Sequence, residues 1–258
     1  ITDLKAQEAC SLKGLLFDLD DNLLDHGKLT EAAYSSLFRL RESGLLLVCV
    51  TGRPITWGKL LVRQWPIEAA VCETGALSAH WREGRLAIWD TISADARQAN
   101  AARLAQLVTA MREQFSQLVV ASDALERTSD FTFDIGETQK LSPEVAQQAA
   151  AFALSRGART SKSSVHLHVS FDVHDKASGT LAVLCKQLGV DSTVARANFA
   201  YVGDSENDAP CFAAFNTSIG VANLQGQFTV PPRFVTRKPS AQGFVEAAEQ
   251  IISQRSKR

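Results

Sequence analysis

The chain has 258 residues, 45% of them hydrophobic, and its 27 basic and 28 acidic side chains leave a net charge of −1. A near-neutral chain without a basic half lacks the electrostatic signature of a nucleic-acid-binding protein, and the absence of an apolar run of about 18 residues excludes a transmembrane helix. The five cysteines are scattered and mostly lie inside apolar runs, which indicates reduced thiols and predicts a cytoplasmic location.

The N-terminal part of the chain alternates short apolar runs with helical patterns. Apolar runs occupy 14–19, 45–51 and 69–73, and the helical pattern after the first run ends at Gly44. Strands buried on both faces are continuously apolar, and strand–helix–strand alternation is typical of parallel βαβ units. We therefore predict an α/β fold with a doubly wound parallel sheet.

The pattern changes after Gly75 and returns near residue 173. The intervening stretch predicts a hairpin formed by LSAHW and RLAIWDTI, helices that begin after Ser93 and Ser142, and strands at 117–122, 130–136 and 164–173. The C-terminal part then predicts a helix over 175–188, strands at 198–204, NTSIGV and RFVT, and a last helix from Gly243. The prediction is thus an α/β core of residues 11–76 and 173–258, interrupted by an inserted α+β unit of residues 77–172.

Polar residues follow three of the predicted core strands at the points where the strands end. Asp18 and Asp20 follow the first strand, Thr51-Gly52-Arg53 follow the second, and the segment 204–208 follows a later one. Ligands of doubly wound sheets bind beyond the carboxyl ends of the strands. Carboxylates that meet there repel one another unless a cation lies between them, and Mg²⁺ suits a site of a few carboxylates and water.

Four segments occur in an informative order: FDLDDNLL, VCVTGRP, HDKASGTLAVL and YVGDSENDAPCF. They resemble the motifs of the haloacid dehalogenase (HAD) superfamily, whose members are mostly Mg²⁺-dependent phosphohydrolases. The long interval between Thr51 and Lys176 leaves room for a whole cap domain, which resembles subfamily IIB (Cof-like hydrolases, sucrose-phosphate phosphatases and mannosyl-3-phosphoglycerate phosphatases). The resemblance implies an HAD-like Rossmannoid core with an inserted C2 cap. TGRP departs from the T-S-K pattern of the mannosyl-3-phosphoglycerate phosphatases.

The resemblance also implies a role for each motif residue. Asp18 would be the nucleophile that forms an aspartyl-phosphate, Asp20 the general acid and base, and Lys176 the charge that screens the phosphate. Phosphate contacts are implied for Thr51, Gly52, Arg53, Lys176 and Asn207. Mg²⁺ ligation is implied for Asp18, Asp20 through its backbone carbonyl, Asp204 and Asp208, the last directly or through water.

Residues next to the first motif have more than one interpretation. Asp21 is expected to be a turn residue rather than a ligand, and Asp25 to cap the following helix. His26 could lie where substrates enter, although a plain loop position is expected. Asn22 stands where the family usually has Thr, which bears on the geometry of the loop more than on its chemistry. Arg53 could contact substrate or have a structural role.

His166 and His168 lie two positions apart, and so on one face of a predicted strand of the insert. They could face the site and contact substrate hydroxyls, or they could face solvent. A zinc site is not expected, because no third ligand lies nearby in the sequence.

These features predict a phosphatase that acts through an aspartyl-phosphate on a small phosphorylated metabolite, with sugar phosphates as the expected class. A sugar phosphomutase would use the same residues but pass the phosphoryl group to a sugar hydroxyl, and a non-catalytic HAD-fold sensor is the third alternative. Neither nucleic acid nor a membrane is expected as a partner, and the protein is expected to be a monomer or a homodimer.

Overall fold

The computed structural model describes residues 4–163, 165–224 and 228–256. The strands of these ranges are, in chain order, β1 (Gly14–Phe17), β2 (Leu24–Asp25), β3 (Lys28–Leu29), β4 (Leu46–Val50), β5 (Ala69–Cys72), β6 (Leu77–Arg82), β7 (Arg85–Asp90), β8 (Val119–Val120), β9 (Asp130–Asp134), β10 (Arg159–Lys162), β11 (His166–Ser170), β12 (Phe199–Gly203), β13 (Thr217–Gly220) and β14 (Phe234–Val235). The α-helices are α1 (Ala6–Ser11), α2 (Glu31–Glu42), α3 (Ile55–Gln64), α4 (Ala94–Gln114), α5 (Pro143–Ser155), α6 (Lys176–Lys186), α7 (Ser192–Asn198), α8 (Ala209–Ala214) and α9 (Ser240–Arg255).

A large, mostly parallel sheet forms the centre of the protein. Within the described residues its strand order is β14-β13-β12-β1-β4-β5-β6-β7. The strands from β14 to β5 run parallel to one another, and only β6 and β7 are antiparallel to their neighbours. This arrangement confirms the predicted α/β class.

Helices cover both faces of the sheet, which explains why its strands are continuously apolar. Leu15 and Phe17 of β1 pack on the face that carries α2, α3 and α9, whereas Leu16 packs on the face that carries α6, α7 and α8. The rings of Phe17 and Phe244 meet edge to face at 5.4 Å and so hold α9 against β1. The carboxyl ends of the parallel strands lie between these two helix layers and carry polar side chains.

A second, smaller sheet is formed by strands that lie between β7 and α6 in the chain. Its order is β10-β11-β9-β8, all antiparallel, and α4 and α5 pack against it through a separate apolar cluster. Ser93 and Ser142 cap these two helices by accepting hydrogen bonds from backbone N–H groups, as their sequence positions predict.

The predicted hairpin forms, but it belongs to the large sheet. A tight turn over Glu73–Gly75 reverses the chain after β5, so that β6 pairs antiparallel with β5 and β7 continues the same sheet. The small sheet therefore starts only after α4. The division into a core of residues 11–76 and 173–258 and an insert of 77–172 stays a prediction.

Two local features differ from the sequence analysis. The strand β10 was not predicted, because ARTSK offers no apolar alternation and most of its side chains are at least partly exposed. The prediction that Asp25 caps the next helix is wrong: Asp25 lies in β2, and the hydroxyl of Thr30 caps α2 by accepting from the N–H of Ala33 at 3.3 Å.

Among the described residues, none of the helices combines the length and the apolar character needed to span a bilayer.

Candidate active site

The carboxyl ends of three neighbouring strands bring the candidate residues to one edge of the large sheet. β1 pairs in parallel with β12 on one side and with β4 on the other, so that Phe17 lies opposite both Val202 and Cys49. The residues that follow these strands are therefore adjacent in space, although they are far apart in the chain. Asp18, Thr51 and Asp204 each come directly after or within one residue of such an end.

A fully buried lysine lies at the centre of this edge. The Nζ of Lys176, the first residue of α6, lies 3.0 Å from Oδ1 of Asp18 and 2.8 Å from Oδ1 of Asp208, and it donates to Oδ1 of Asn207 at 3.0 Å. An ammonium group has three donors, and here each has an acceptor. Burial alone would lower the pKa of Lys176, but Asp18 and Asp208 raise it above its usual value.

Asp18, Asp204 and Asp208 form a compact carboxylate cluster, in which one oxygen of each lies within 4.8 Å of the others. Burial raises the pKa of Asp18 to about 7, although the charge of Lys176 opposes the shift. Burial also raises the pKa of Asp204 well above its usual value, and the charges of Asp18 and Asp208 add to the effect. When all three carboxyls are ionised, the cluster carries more negative charge than Lys176 alone offsets, so a further cation would favour the ionised form.

The cluster has the properties of a site for a hard divalent cation. Oδ1 of Asp204 is buried and has no hydrogen-bond partner among the described residues, so a carboxylate oxygen is left without a donor. A buried, unpaired carboxylate oxygen is costly. The donor set consists of oxygens only, which suits Mg²⁺ better than a softer metal.

Asp208 differs from the other two carboxylates because its oxygens are already occupied. Oδ1 accepts from the hydroxyl of Tyr201 at 2.6 Å as well as from Lys176, and Oδ2 accepts from the backbone N–H groups of Asp204 at 3.0 Å and Ser205 at 3.1 Å. A side chain at Gly203 would collide with this carboxylate, since a Cβ there would lie 2.6 Å from Cγ of Asp208. Asp208 therefore shapes the loop and has less capacity for direct metal contact than Asp204.

Asp20 is held by Arg53. Nε of Arg53 donates to Oδ2 of Asp20 at 2.9 Å, and Nη2 donates to Oδ1 at 2.8 Å, which is the bidentate geometry that suits arginine and carboxylate. The guanidinium also lies over the ring of Trp57, 4.8 Å from its centroid. Arg53 therefore contacts the predicted general acid in this structure, and its phosphate contact stays a prediction.

The loop after Asp18 is fixed by a buried asparagine. Nδ2 of Asn22 donates to the backbone carbonyls of Asp18 at 2.9 Å and Val202 at 3.0 Å, and so ties the loop to the neighbouring strand β12. Asp21 adopts φ 51°, which agrees with its prediction as a turn residue. His26 lies at the exposed tip of the β2–β3 hairpin, with 94% of its side chain accessible, as expected for a plain loop residue.

The predicted phosphate-contact residues lie beside the carboxylate cluster. Thr51 is fully buried, and its hydroxyl accepts from the N–H of Arg53 at 3.1 Å. Asn207 bridges Lys176 and Ser205, since its Oδ1 also accepts from the Ser205 hydroxyl at 2.7 Å.

A cavity of about 540 Å³ opens between this edge and the small sheet, within the size range of ligand sites. The lining residues in and next to the small sheet are Asp130, Arg159, Thr160, Ser161, Lys162, His168, Ser170 and Asp172, and the others are Glu73, Thr74, His174, Asp175, Glu206, Asn207 and Pro210. Because Asn207 contacts both the cavity and Lys176, the cavity borders the carboxylate cluster.

Two residues that connect the segment 127–129 to the neighbourhood of the large sheet are not among the predicted site residues. Glu73 accepts from the N–H of Ile55 at 3.1 Å through Oε1, and from the N–H of Ser129 at 2.7 Å through Oε2. Arg127 donates to the carbonyl of Gly52 at 2.9 Å. Glu73 had a usable signal, since it is a carboxylate at the end of an apolar run, whereas Arg127 lies in a polar stretch that offers none.

The family model described as sucrose-6F-phosphate phosphohydrolase matches residues 12–250. Similar solved structures include Thermoplasma acidophilum 0175 (TM-score 0.75, 18% identity, 93% of this chain and 98% of that chain covered) and the sucrose-phosphatase of Synechocystis sp., solved with sucrose and phosphate (TM-score 0.66, 16%, 93% and 98%). They also include the HAD subclass IIB sugar phosphatase BT4131 (TM-score 0.65, 12%, 92% and 98%). No curated protein shows significant similarity to the chain. Since the family model matches nearly the whole sequence, the chain belongs to the sucrose-6F-phosphate phosphohydrolase family of the HAD superfamily. It is a phosphatase with the HAD-like Rossmannoid fold that its motifs predict.

Proposed function

We propose that this phosphatase is Mg²⁺-dependent and hydrolyses phosphomonoesters through an aspartyl-phosphate on Asp18. The observation that supports this most strongly is the cluster of Asp18, Asp204 and Asp208 beside Lys176, in which Asp18 and Asp208 are buried and Asp204 is partly buried. Buried carboxylates this close are unfavourable in a merely structural role, but they suit a site that binds a cation and a phosphate together.

The reaction has two steps in this proposal. A carboxylate oxygen of Asp18 attacks the phosphorus of the ester, the bond to the leaving oxygen breaks, and Asp20 donates a proton to that oxygen. Asp20 then takes a proton from water, whose oxygen attacks the aspartyl-phosphate and releases inorganic phosphate and free Asp18. Lys176 screens the repulsion between Asp18 and the phosphate oxygens throughout.

Arg53 couples substrate binding to the release of Asp20, the proposed general acid. Its guanidinium occupies both oxygens of Asp20, so this pair must open before Asp20 reaches the ester oxygen. An arriving phosphate competes for the same guanidinium, because phosphate and carboxylate bind arginine in the same bidentate manner. The proposal therefore gives Arg53 a phosphate contact in the bound state, together with Thr51, Gly52 and Asn207.

Asp18, Asp204 and the backbone carbonyl of Asp20 would hold the Mg²⁺ directly, and Asp208 would hold it through a water, since its own oxygens have donors already. Mg²⁺, when bound, supplies positive charge that offsets the repulsion between the carboxylates and the phosphate. The fit rests on the unpartnered Oδ1 of Asp204 and on the excess negative charge of the cluster.

Sugar phosphates are the substrate class that we propose. The cavity beside the cluster is large enough for a phosphorylated sugar, and its lining is rich in hydroxyl, imidazole and charged groups that form hydrogen bonds. The Synechocystis sucrose-phosphatase, solved with sucrose and phosphate, and the trehalose-6-phosphate phosphatase related protein of similar fold support the same class. The insert of residues 77–172 acts as the cap that selects the leaving group, in a cytoplasmic monomer or homodimer.

A phosphate-release assay tests the proposal. The protein is incubated with a panel of sugar phosphates, phosphoglycerate glycosides and nucleotides, with Mg²⁺ or with EDTA, alongside the variants D18N and D25N. We expect Mg²⁺-dependent release that D18N abolishes and D25N leaves intact, because Asp25 lies in the β2–β3 hairpin, partly exposed and outside the cluster.

The same assay separates the alternatives. A phosphomutase would yield an isomeric sugar phosphate instead of inorganic phosphate. A non-catalytic sensor would bind a sugar phosphate without turnover in either metal condition. Full activity of D18N, or activity that persists in EDTA, would contradict the proposed mechanism.

A further inference from the structure

His168 is a buried histidine whose ring is fixed on one side only. It lies in the middle of β11, and 7% of the residue is exposed. Its Nδ1 lies 2.8 Å from Oδ2 of Asp130 on the neighbouring strand β9. Asp130 is in turn held by Arg127, whose Nη1 lies 3.1 Å from its carboxylate and 2.9 Å from the carbonyl of Gly52. The chain of contacts thus runs from the imidazole to the segment after β4.

These contacts define the chemical character of the ring. Burial alone would raise the pKa of Asp130, but Arg127 and His168 hold it below its usual value, so Asp130 is a carboxylate that can only accept. Nδ1 of His168 must then carry the hydrogen. Burial lowers the pKa of His168 although Asp130 opposes the shift, which favours the neutral ring. In that tautomer Nε2 has a free lone pair and acts as a hydrogen-bond acceptor.

The other ring nitrogen, Nε2, is available to a substrate in the cavity. Among the described residues it has no hydrogen-bond partner, and His168 lines the cavity beside the carboxylate cluster. A methyl group placed on Gly52 would lie 3.6 Å from Cε1 and 3.9 Å from Nε2 of His168, so the ring lies directly against the TGR segment. The acceptor therefore lies beside Gly52, one of the residues to which the proposed function assigns phosphate contacts.

We infer that His168 is a specificity-determining residue, whose Nε2 accepts a hydrogen bond from a hydroxyl of the leaving group close to the phosphoester. The inference rests on the proposed function and adds that the sugar phosphate carries a hydroxyl group near the phosphoester. A phosphate oxygen without a proton does not donate to this nitrogen, whereas a substrate hydroxyl does. A site that is built for a hydroxyl discriminates strongly against analogues that lack it.

His166 provides the matched control. It is also a buried histidine of β11, and its Nε2 lies 3.0 Å from Oε2 of Glu137, so that this nitrogen already has a carboxylate partner. It does not line the cavity. A glutamine at this position keeps a polar group near Glu137 and should not affect substrate choice.

The test compares kcat/KM for the best sugar phosphate of the panel with kcat/KM for p-nitrophenyl phosphate, which has no hydroxyl group. In H168N the amide can still donate to Asp130 but does not reach the position of Nε2. In H168Q the amide oxygen reaches the position of Nε2. We expect the ratio of the two kcat/KM values to fall by about 10- to 100-fold in H168N, to stay within a few-fold of wild type in H168Q, and to be unchanged in H166Q. Melting temperatures show whether each variant is folded.

A second measurement does not depend on any variant. In the wild-type protein without divalent metal, the ¹⁵N signal of Nε2 should shift on addition of the sugar phosphate and should shift less with p-nitrophenyl phosphate. If the ratio of the two kcat/KM values is unchanged in H168N, whether or not both values fall, the inference is overturned and the proposed function remains intact. If the wild-type protein releases phosphate from neither compound, the proposed function fails and the inference falls with it.

Discussion

Replacing Lys176 by Met should destabilise the protein strongly, because it removes the buried charge between two buried carboxylates. The Nζ of Lys176 lies 3.0 Å from Asp18 and 2.8 Å from Asp208, and the side chain is fully buried. Methionine fills a similar volume without charge, so the change leaves Asp18 and Asp208 without their counter-ion while packing is largely kept. Removing one partner of a buried ion pair lowers the free energy of unfolding by about 3–5 kcal/mol.

The assay is equilibrium unfolding in urea, with EDTA present so that no metal replaces the missing charge. The expected result for K176M is a loss of about 3–5 kcal/mol in the free energy of unfolding at an unchanged m-value. K186M is the control, since Lys186 ends the same helix α6 and lies exposed, with its Nζ 5.8 Å from the ring centroid of Trp89. K186M should lose less than about 1 kcal/mol. A loss in K176M no larger than in K186M would refute the reasoning, because the carboxylates would then not depend on the lysine.

Three further predictions follow from other contacts. Replacing Arg53 by Lys removes the bidentate contact with Asp20, and kcat/KM for the best substrate should fall about tenfold; an unchanged value would contradict the link between the two residues. Burial, with Arg82 adding, lowers the pKa of His80 to about 4, so the unfolded state binds more protons between about pH 6.5 and 4 and stability falls as pH falls through this window. The free energy of unfolding is measured at pH 7 and pH 4.5, and its decrease between them should be smaller in H80Q than in the wild type by up to about 3 kcal/mol. An equal decrease in the two proteins would show that His80 is not responsible. In E73Q, the amide NH₂ group faces the N–H of Ser129 or of Ile55, which should lower the free energy of unfolding by about 2 kcal/mol and accelerate hydrogen exchange at Ser129. Unchanged exchange would mean that Glu73 does not hold the segment around Ser129.

The meeting of the motif residues could be predicted from the sequence because it depends only on parallel topology. Continuous apolar runs indicate strands buried on both faces, and the carboxyl ends of parallel strands share one edge. Asp18, Thr51 and Asp204 therefore had to approach one another once the strand order put β1 between β4 and β12. The approach of Lys176 to the same residues could also be predicted, because it is the first residue of a helix that packs against this sheet.

The features that sequence did not predict depend on longer-range geometry. The β6–β7 hairpin pairs with β5 because the chain turns at Glu73–Gly75, where Glu73 and Thr74 both adopt positive φ. No local sequence pattern predicts positive φ in these two non-glycine residues. The partner of Arg53 could not be predicted either, because a long side chain reaches both Asp20 and the phosphate position. The contact between Arg127 and Gly52 joins segments 75 positions apart.

Rapid acid quench followed by peptide mass spectrometry tests the central claim most directly. Enzyme is mixed with excess substrate and Mg²⁺, stopped in acid within the first turnover, digested and searched for a phosphorylated acidic side chain. The proposed mechanism predicts phosphate on Asp18, in the peptide that contains FDLDDN, and none on Asp20. Phosphate release without any phosphorylated Asp18, or phosphate found on another residue, would contradict it.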